Sequence, residues 1–196
     1  MLYSESMSHT PAEGPRRHRL TVADYYRMGE AGILAPDARV ELIDGEIIDM
    51  APIGSPHVSA VLQLDYLMKE AVAEKALVLV QGPIVLGEYS APQPDLAVLR
   101  QRADYYRSTL AGPADVLLVV EVAQSSLRFD RDDKIPLYAR HGIPEVWLID
   151  LKAKRFVRYR NPQQGAYMSV DQPDLGSPLE IAALPESRLD LSALLS

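Results

Sequence analysis

Cysteine, long apolar runs and a positive net charge are all absent from this sequence, and each absence excludes a class of protein. Without cysteine, disulfide bonds and thiolate metal sites are excluded, so oxygen or imidazole groups would have to hold any metal ion. No apolar run approaches the roughly 20 residues of a membrane-spanning helix, and the N-terminus lacks the basic-then-apolar pattern of a signal peptide. We therefore expect a cytoplasmic protein with no membrane partner.

The formal net charge is −7 over 196 residues. This charge excludes a broad basic surface for non-specific coating of nucleic acid, but it does not exclude a locally basic cleft. The length suits one domain with a full core. We predict a disordered N-terminal arm over residues 1–18, which includes part of a basic cluster at Arg16–Arg19, and a single domain over residues 19–196.

Apolar periodicity and turn residues predict a mixed-sheet α/β (α+β) domain. Helices are expected over residues 22–29, 55–74 and 130–141, with Thr21 and Asp24 in a capping box at the start of the first. Hairpins are expected around Asp44-Gly45 and around Asn161-Pro162 with Gly165. Further strands are expected over residues 77–86, 94–99, 116–123, 144–150 and 179–184, the last as a short edge strand. The helix over residues 130–141 joins two buried strands, which predicts a parallel βαβ crossover.

The stretch Val116–Ala123 is the most apolar run in the sequence and is rich in β-branched residues. Such a run, with turn residues on both sides, predicts a strand that is buried on both faces. It contains one carboxylate, Glu121, and a carboxylate is seldom buried unless it is paired or binds a metal ion. Glu121 is therefore either a structural partner or a ligand.

Four residues have the chemistry that phosphodiester hydrolysis needs. Asp95 stands at the start of one strand and Glu121 at the end of another, while Glu41 lies in the first hairpin and Lys134 in the central helix. Two carboxylates at neighbouring strand ends can hold one Mg²⁺ ion, which polarises a phosphoryl oxygen and lowers the pKa of a bound water. A nearby ammonium group can orient the water or neutralise charge in the transition state.

The order of these motifs resembles a known group of proteins. Pro94-Asp95 followed by Glu121-Val122-Ala123 is similar to the paired motif of the PD-(D/E)XK nuclease superfamily, which has the restriction-endonuclease-like fold. A narrower resemblance, over roughly Thr21 to Arg160, is to the Uma two family of predicted endonucleases. The segments that carry it are Glu41–Glu46, Pro94-Asp95, Val119–Val122 with Ser125-Ser126, Asp133-Lys134 with Tyr138, and Gly142–Asp150.

The resemblance implies a restriction-endonuclease-like mixed sheet that is flanked by helices and has hairpins at both ends. It implies that Asp95 and Glu121 bind Mg²⁺ or Mn²⁺, with the Val122 carbonyl as a third ligand and Glu41 as an additional active-site acid. The superfamily motif ends in a lysine two residues beyond the second acid, where this sequence has Ala123. In the Uma two family the lysine comes from the following helix, where Lys134 stands here.

The resemblance implies a metal-dependent endonuclease that hydrolyses phosphodiester bonds in DNA. Many nucleases of this fold cut two strands as dimers, and an exposed C-terminal hairpin could support a homodimer here. The alternative is a degenerate nuclease fold that binds nucleic acid or a protein without cleaving. The acidic net charge and the missing lysine at position 123 favour this alternative.

Each site residue also has a structural interpretation when it is taken alone. Asp95 could cap a turn after Pro94, Glu121 could be half of a buried ion pair, and Glu41 could lie on the solvent face of its hairpin. For His57 a surface position is favoured over a ligand role, and for Tyr138 packing is favoured over catalysis. Five arginines in connections near the proposed site could contact phosphate, although solvated surface is favoured; they are Arg100, Arg102, Arg107, Arg128 and Arg131.

Overall fold

A computed structural model describes residues 15–195 of the chain. Most of the predicted arm, residues 1–14, lies outside the described residues, and residues 15–21 have no regular secondary structure. The division into an arm and one domain therefore stays a prediction. No helix within residues 15–195 combines the length and the apolarity that are needed to cross a bilayer.

The described chain begins with helix α1 (Val22–Glu30) and a hairpin of β1 (Val40–Ile43) and β2 (Glu46–Asp49). The capping box is confirmed, because the Thr21 hydroxyl accepts a hydrogen bond from the Asp24 N–H and the Asp24 carboxylate accepts one from the Thr21 N–H. The hairpin is confirmed as well, and both turn residues have the positive φ that a tight turn requires, 49° at Asp44 and 85° at Gly45. All four residues of β1 are buried, so Glu41 does not lie on a solvent face.

Helix α2 (Ser55–Val72) is followed by a 3₁₀ turn, Ala73–Lys75. Its buried face differs from the predicted one, because Val58 is 40% and Leu62 64% exposed while His57 is buried. Apolar residues cover more than one stripe of this helix, so periodicity alone could not decide which stripe faces the sheet. The buried stripe consists of His57, Ala60, Val61, Leu64, Met68 and Val72.

Six strands form one mixed sheet in the order β3-β4-β5-β6-β7-β8. Their bounds are β3 Ala76–Val80, β4 Leu96–Arg100, β5 Val116–Ala123, β6 Glu145–Asp150, β7 Arg155–Gln163 and β8 Ala166–Asp171. Only β5 and β6 are parallel among these neighbours, which confirms the predicted crossover. Every residue of β5 is buried, as its apolar sequence predicts.

Strand β3 ends at Val80, so the prediction that it continues to Leu86 is wrong. Gln81 has φ 47°, and Gly82 and Pro83 follow it. A positive φ leaves the extended conformation, and proline cannot donate a backbone hydrogen bond to a neighbouring strand. Ile84 and Leu86, after Pro83, are still buried, but they lie in a loop.

The segment between β5 and β6 is helical from Leu127, three residues earlier than predicted. It consists of α3 (Leu127–Phe129), a π-helical turn (Asp130–Lys134) and α4 (Ile135–Arg140). The N–H of Ile135 donates to the carbonyl of Asp130, five residues before it. Single π-helical turns within α-helices are frequent at functional sites. Lys134 therefore lies about two turns into the helical segment instead of one.

The two C-terminal predictions are wrong in detail. The turn between β7 and β8 is at Gln164-Gly165, whereas Asn161 and Pro162 lie in β7. Pro162 is tolerated because the pairing of β7 with β6 ends at Arg160. Residues 179–189 do not form an edge strand of the sheet, but a separate hairpin of β9 (Leu179–Ile181) and β10 (Leu184–Leu189).

The core lies on both faces of the sheet. On one face, α2 and the β9–β10 hairpin cover a cluster that includes Trp147, which is fully buried as expected. Glu145 ties this hairpin to the sheet, because its carboxylate accepts hydrogen bonds from the Trp147 indole N–H and the Ala182 N–H, both 2.7 Å long. On the other face α4 packs over Val119, and strand alternation places Glu121 on that same face.

Candidate active site

A cleft of about 330 Å³ opens where β5 ends, between the β1–β2 hairpin, the start of α2 and the α3–α4 segment. Four of the predicted site residues line it, namely Glu41, Asp95, Glu121 and Lys134. They come from positions far apart in the sequence, so the fold brings them together. Two residues without a predicted role, His57 and Asp130, line the same cleft.

Lys134 is buried between two glutamates. Its Nζ lies 2.8 Å from Oε1 of Glu121, and 3.3 Å and 3.4 Å from the two carboxylate oxygens of Glu41. Burial alone would lower the pKa of Lys134, but the negative charges of Glu121 and Glu41 outweigh that effect and raise it, so the ammonium form is kept. Ala123, at the position where the superfamily motif has its lysine, is only 1% exposed. The ammonium group beside Glu121 thus comes from the helical segment.

Glu121 accepts a second hydrogen bond on the same oxygen. The hydroxyl of Tyr138, which is fully buried, donates to Oε1 of Glu121 at 2.5 Å. Burial raises the pKa of Glu121 well above its ordinary value, since the positive charge of Lys134 only partly compensates for burial and for the nearby acids. Tyr138 therefore contacts the site directly, and the packing interpretation was incomplete.

Glu41 is held from the opposite side of the cleft. One of its oxygens, Oε2, accepts a hydrogen bond from the backbone N–H of Gln93 at 2.9 Å. The side chain of Gln93 donates in turn to the Val40 carbonyl at 3.2 Å. The hairpin and the segment before β4 are thus fixed to each other at the point where Glu41 meets Lys134.

Asp95 bridges two elements and does not cap a local turn. Its Oδ2 accepts a hydrogen bond from the Val122 N–H at 2.8 Å, and its Oδ1 lies 3.0 Å from Nε2 of His57. The favoured surface position of His57 is wrong, since this residue is 7% exposed. It is buried because the first turn of α2 packs against the point where the chain enters β4.

One polar residue near Lys134, Asp130, was missed in the sequence. Asp130 is 4% exposed and accepts a hydrogen bond from the Ser126 hydroxyl at 2.6 Å; burial raises its pKa. Asp130, Lys134 and Tyr138 are four residues apart, which places them on one stripe of a helix. That spacing was the available signal. However, the helix was expected to start at Asp130, and an acid in the first turn of a helix is ordinary because it interacts favourably with the helix dipole.

The donor set is compatible with one Mg²⁺ or Mn²⁺ ion. Four carboxylates line the cleft together with the buried lysine, Lys134; they belong to Glu41, Asp95, Glu121 and Asp130. Within residues 15–195 no three His, Asp or Glu side chains are arranged to hold a metal ion. Mg²⁺, however, usually keeps several waters and takes only one or two protein carboxylates, so Asp95 and Glu121 suffice by donor chemistry. The excess of buried acid over base also favours a cation here.

The geometry of Val122 agrees with a role for its carbonyl. The N–H of Val122 points toward Asp95. In an antiparallel pair the N–H and C=O groups of one residue face the same neighbouring strand. The Val122 carbonyl therefore faces the side of β5 on which Asp95 lies, although Val122 itself is not among the residues that line the cleft.

The five arginines do not form one group. Arg100 is five residues along β4 from Asp95, which corresponds to roughly 16 Å, and Arg102 pairs with Asp104 at that far end. The expectation that Arg100, Arg102 and Arg107 lie near the site is therefore wrong. Arg128 and Arg131 do lie near it, because they line a groove that shares Gln124 and Ser125 with the cleft.

Comparisons with known proteins agree with this fold. The family described as "Uma2: Putative restriction endonuclease" matches residues 22–192. A crystal structure described as that of "a putative nuclease belonging to DUF820", from Anabaena variabilis, is similar with a TM-score of 0.69 and 18% sequence identity, over 90% of this chain and 97% of that chain. No curated protein matches the chain. The structural similarity confirms the predicted mixed-sheet nuclease fold.

Proposed function

This chain belongs to the Uma2 family, which carries the description "Putative restriction endonuclease". We propose that the protein is a metal-dependent phosphodiesterase that cleaves DNA internally. The observation that carries this proposal is the cleft in which Lys134 contacts Glu121 and Glu41 and which Asp95 also lines. This set matches the chemical needs of phosphodiester hydrolysis, namely carboxylates for an ion and a cation for the developing charge.

Asp95 and Glu121 would hold the Mg²⁺ or Mn²⁺ ion, and the Val122 carbonyl would supply a further oxygen. When bound, such an ion polarises a phosphoryl oxygen and lowers the pKa of a water. Lys134 keeps its proton, so its ammonium group can neutralise negative charge that develops on the phosphoryl oxygens. Glu41 fixes the position of this ammonium group, and Tyr138 fixes that of Glu121.

Support for a nucleic-acid substrate comes from the groove that continues the cleft. Three basic residues line it, Arg128, Arg131 and Lys152. The side chain of Arg128 is 93% exposed, and its ion pair with Asp132 is long at 3.8 Å. Most of the positive charge of Arg128 therefore faces solvent. A basic groove next to the cleft of a chain with net charge −7 fits a polyanionic backbone that leaves the site in this direction.

A homodimer and a cytoplasmic location remain proposals. The edge strand β8 supports the homodimer, because two of its apolar side chains are exposed, Met168 at 63% and Val170 at 54%. An edge strand with exposed apolar residues can pair with a second copy of the same chain. Sedimentation of the purified protein tests this association directly.

Cleavage of a supercoiled plasmid in the presence of Mn²⁺ tests the proposed function. We expect Asp95→Asn and Glu121→Gln to lower the cleavage rate by at least about 100-fold, because each removes a carboxylate that the ion needs. Glu180→Gln, a change of an exposed acid on β9, is the matched control and should cleave like the wild type. Cleavage by Glu121→Gln at the wild-type rate would refute the proposed site.

Two observations favour a second candidate, a module that binds nucleic acid or a protein without cleaving it. Glu121 is already paired with Lys134, and the described residues offer no three-ligand metal cluster. Calorimetric titration with Mn²⁺ separates the two candidates. A wild-type protein that binds DNA but shows no Mn²⁺ binding dependent on Asp95 would support the second.

A further inference from the structure

A buried histidine contacts Asp95 and has no part in the roles above. His57 lies in the first turn of α2, is 7% exposed and lines the cleft. We propose that His57 is a positioning residue, which donates its Nε2–H to Oδ1 of Asp95 and thereby orients this carboxylate toward the ion. The inference rests on the proposed function, in which Asp95 is a ligand.

His57 is one of two main donors that hold the Asp95 carboxylate. Its Nε2 lies 3.0 Å from Oδ1, and the Val122 N–H donates to Oδ2 at 2.8 Å. The Gln81 side chain also reaches Oδ1, but at 3.4 Å and from an exposed position, so its hold is weak. With a strong donor on each oxygen, the plane of the carboxylate is fixed. Without His57, only the Val122 contact would resist rotation of the group.

The packing of His57 is difficult to explain by stability alone. Its Nδ1 is buried and has no hydrogen-bond partner among the described residues. A buried polar atom without a partner destabilises a fold, and an apolar side chain at this position would avoid that penalty. A histidine that orients a metal-ligating carboxylate gives a reason for accepting the unpaired nitrogen.

Calorimetric titration with Mn²⁺, together with thermal unfolding, tests this role. Four variants are compared with the wild type: His57→Ala, His57→Leu, His57→Gln and, as a matched loss of a histidine away from the cleft, His141→Ala. We expect His57→Ala and His57→Leu to weaken Mn²⁺ binding by about 10- to 100-fold, the usual effect of losing an outer hydrogen-bond partner of a ligand. His57→Gln should restore most of the affinity, because its amide can donate in place of Nε2. His141→Ala should bind like the wild type.

The outcomes distinguish this inference from the proposed function. If the wild type shows no Mn²⁺ binding that depends on Asp95, both are overturned. If binding depends on Asp95 but is unchanged in His57→Ala and His57→Leu, only the positioning role is overturned. If His57→Gln binds as weakly as His57→Leu, the donor role is overturned. His57→Leu fills the space of the ring, so it keeps the test valid if His57→Ala does not fold.

Discussion

At the scale of the residue, the centre of the site is a buried lysine that is outnumbered by acids. The side chains of Lys134, Glu121 and Glu41 are at most 4% exposed. Lys134 contacts both glutamates, so its single positive charge faces two carboxylates. Ion pairs of this kind add little stability relative to well-packed apolar residues, but removal of one partner is strongly unfavourable. The cluster is therefore better explained by chemistry than by stability.

Lys134→Met should destabilise the protein by about 3–5 kcal/mol near neutral pH, because it leaves buried carboxylates without a cation. Burial raises the pKa of Glu121 well above its ordinary 4.5, which means that folding favours the protonated carboxyl group. The loss should therefore be largest at neutral pH and should shrink as the pH falls toward 4.5. Urea unfolding at several pH values measures it.

Lys69→Met is the matched control, because Lys69 is exposed and pairs with Asp65 on the surface of α2. Its effect should stay within about 0.5 kcal/mol at every pH. An equally small effect for Lys134→Met would contradict the buried ion cluster.

Residue type and order, together with the family resemblance that they carry, predicted four residues that the structure brings into one cleft. Glu121 could be singled out because a carboxylate in an apolar strand needs a partner, and Lys134 because it follows in the crossover helix. His57 could not, since it stands at an expected helix start, where a polar residue is ordinary; Asp130 was overlooked for the same reason, although its spacing from Lys134 was a signal. Their burial depends on how α2 and the α3–α4 segment dock, and this is decided by contacts between distant residues.

At the scale of the element, short sequence patterns predicted the structure correctly where a residue type requires one conformation or one degree of burial. The Asp44-Gly45 pair predicted a turn with positive φ, and the apolar sequence of β5 predicted a strand at the centre of the sheet. The run after Val80 was as apolar as a strand, but Gln81 and Pro83 divert it into a buried loop. In the tail, the pairing of β9 with β10 instead of the main sheet depends on Glu145 and Trp147, which are more than 30 residues away from it.

The start of α1 gives a pH-dependent prediction. The hydrogen bonds from Thr21, assisted by Arg27, lower the pKa of Asp24 from 3.8 to about 2. A lowered pKa means that the stabilisation is present above pH 3.8 and is lost as the pH falls toward 2. Asp24→Asn should therefore be less stable than the wild type at neutral pH, and the difference should disappear near pH 2. Denaturant unfolding of both proteins at the two pH values measures this.

Asp37→Asn changes an exposed aspartate outside α1 and should show no such pH-dependent difference. If the gap between Asp24→Asn and the wild type is the same at both pH values, the capping box does not contribute through the charge of Asp24.

At the scale of the whole molecule, charge is distributed unevenly. The chain carries a net charge of −7, yet the groove beside the cleft is lined by Arg128, Arg131 and Lys152. An acidic protein repels nucleic acid at a distance, so a local basic groove restricts where a polyanion can approach. Composition could exclude a broad basic surface, but it could not locate this groove, because Lys152 joins the two arginines only through the packing of β6 beside β5.

Salt dependence tests this route for the nucleic acid. The measurement uses a Glu121→Gln background that does not cleave. There, Arg128→Gln and Lys152→Gln should each make the negative slope of log K against log salt less steep by about 1, because one phosphate contact is lost. Fluorescence anisotropy of a labelled duplex between about 50 and 200 mM salt measures the slope. Arg107→Gln, at the far end of β4, should leave it unchanged. Equal slopes for all three variants would exclude the groove as the binding surface.

The position of Trp147 makes the protein its own optical reporter. It is the sole tryptophan of the chain and is fully buried at the centre of the sheet. Its fluorescence therefore changes when the core opens, and each variant described above can be checked for folding without a label. Because the chain has no cysteine, one engineered thiol at the rim of the cleft would accept a single acceptor dye. Energy transfer from Trp147 to that dye would then follow movement of the rim when nucleic acid binds.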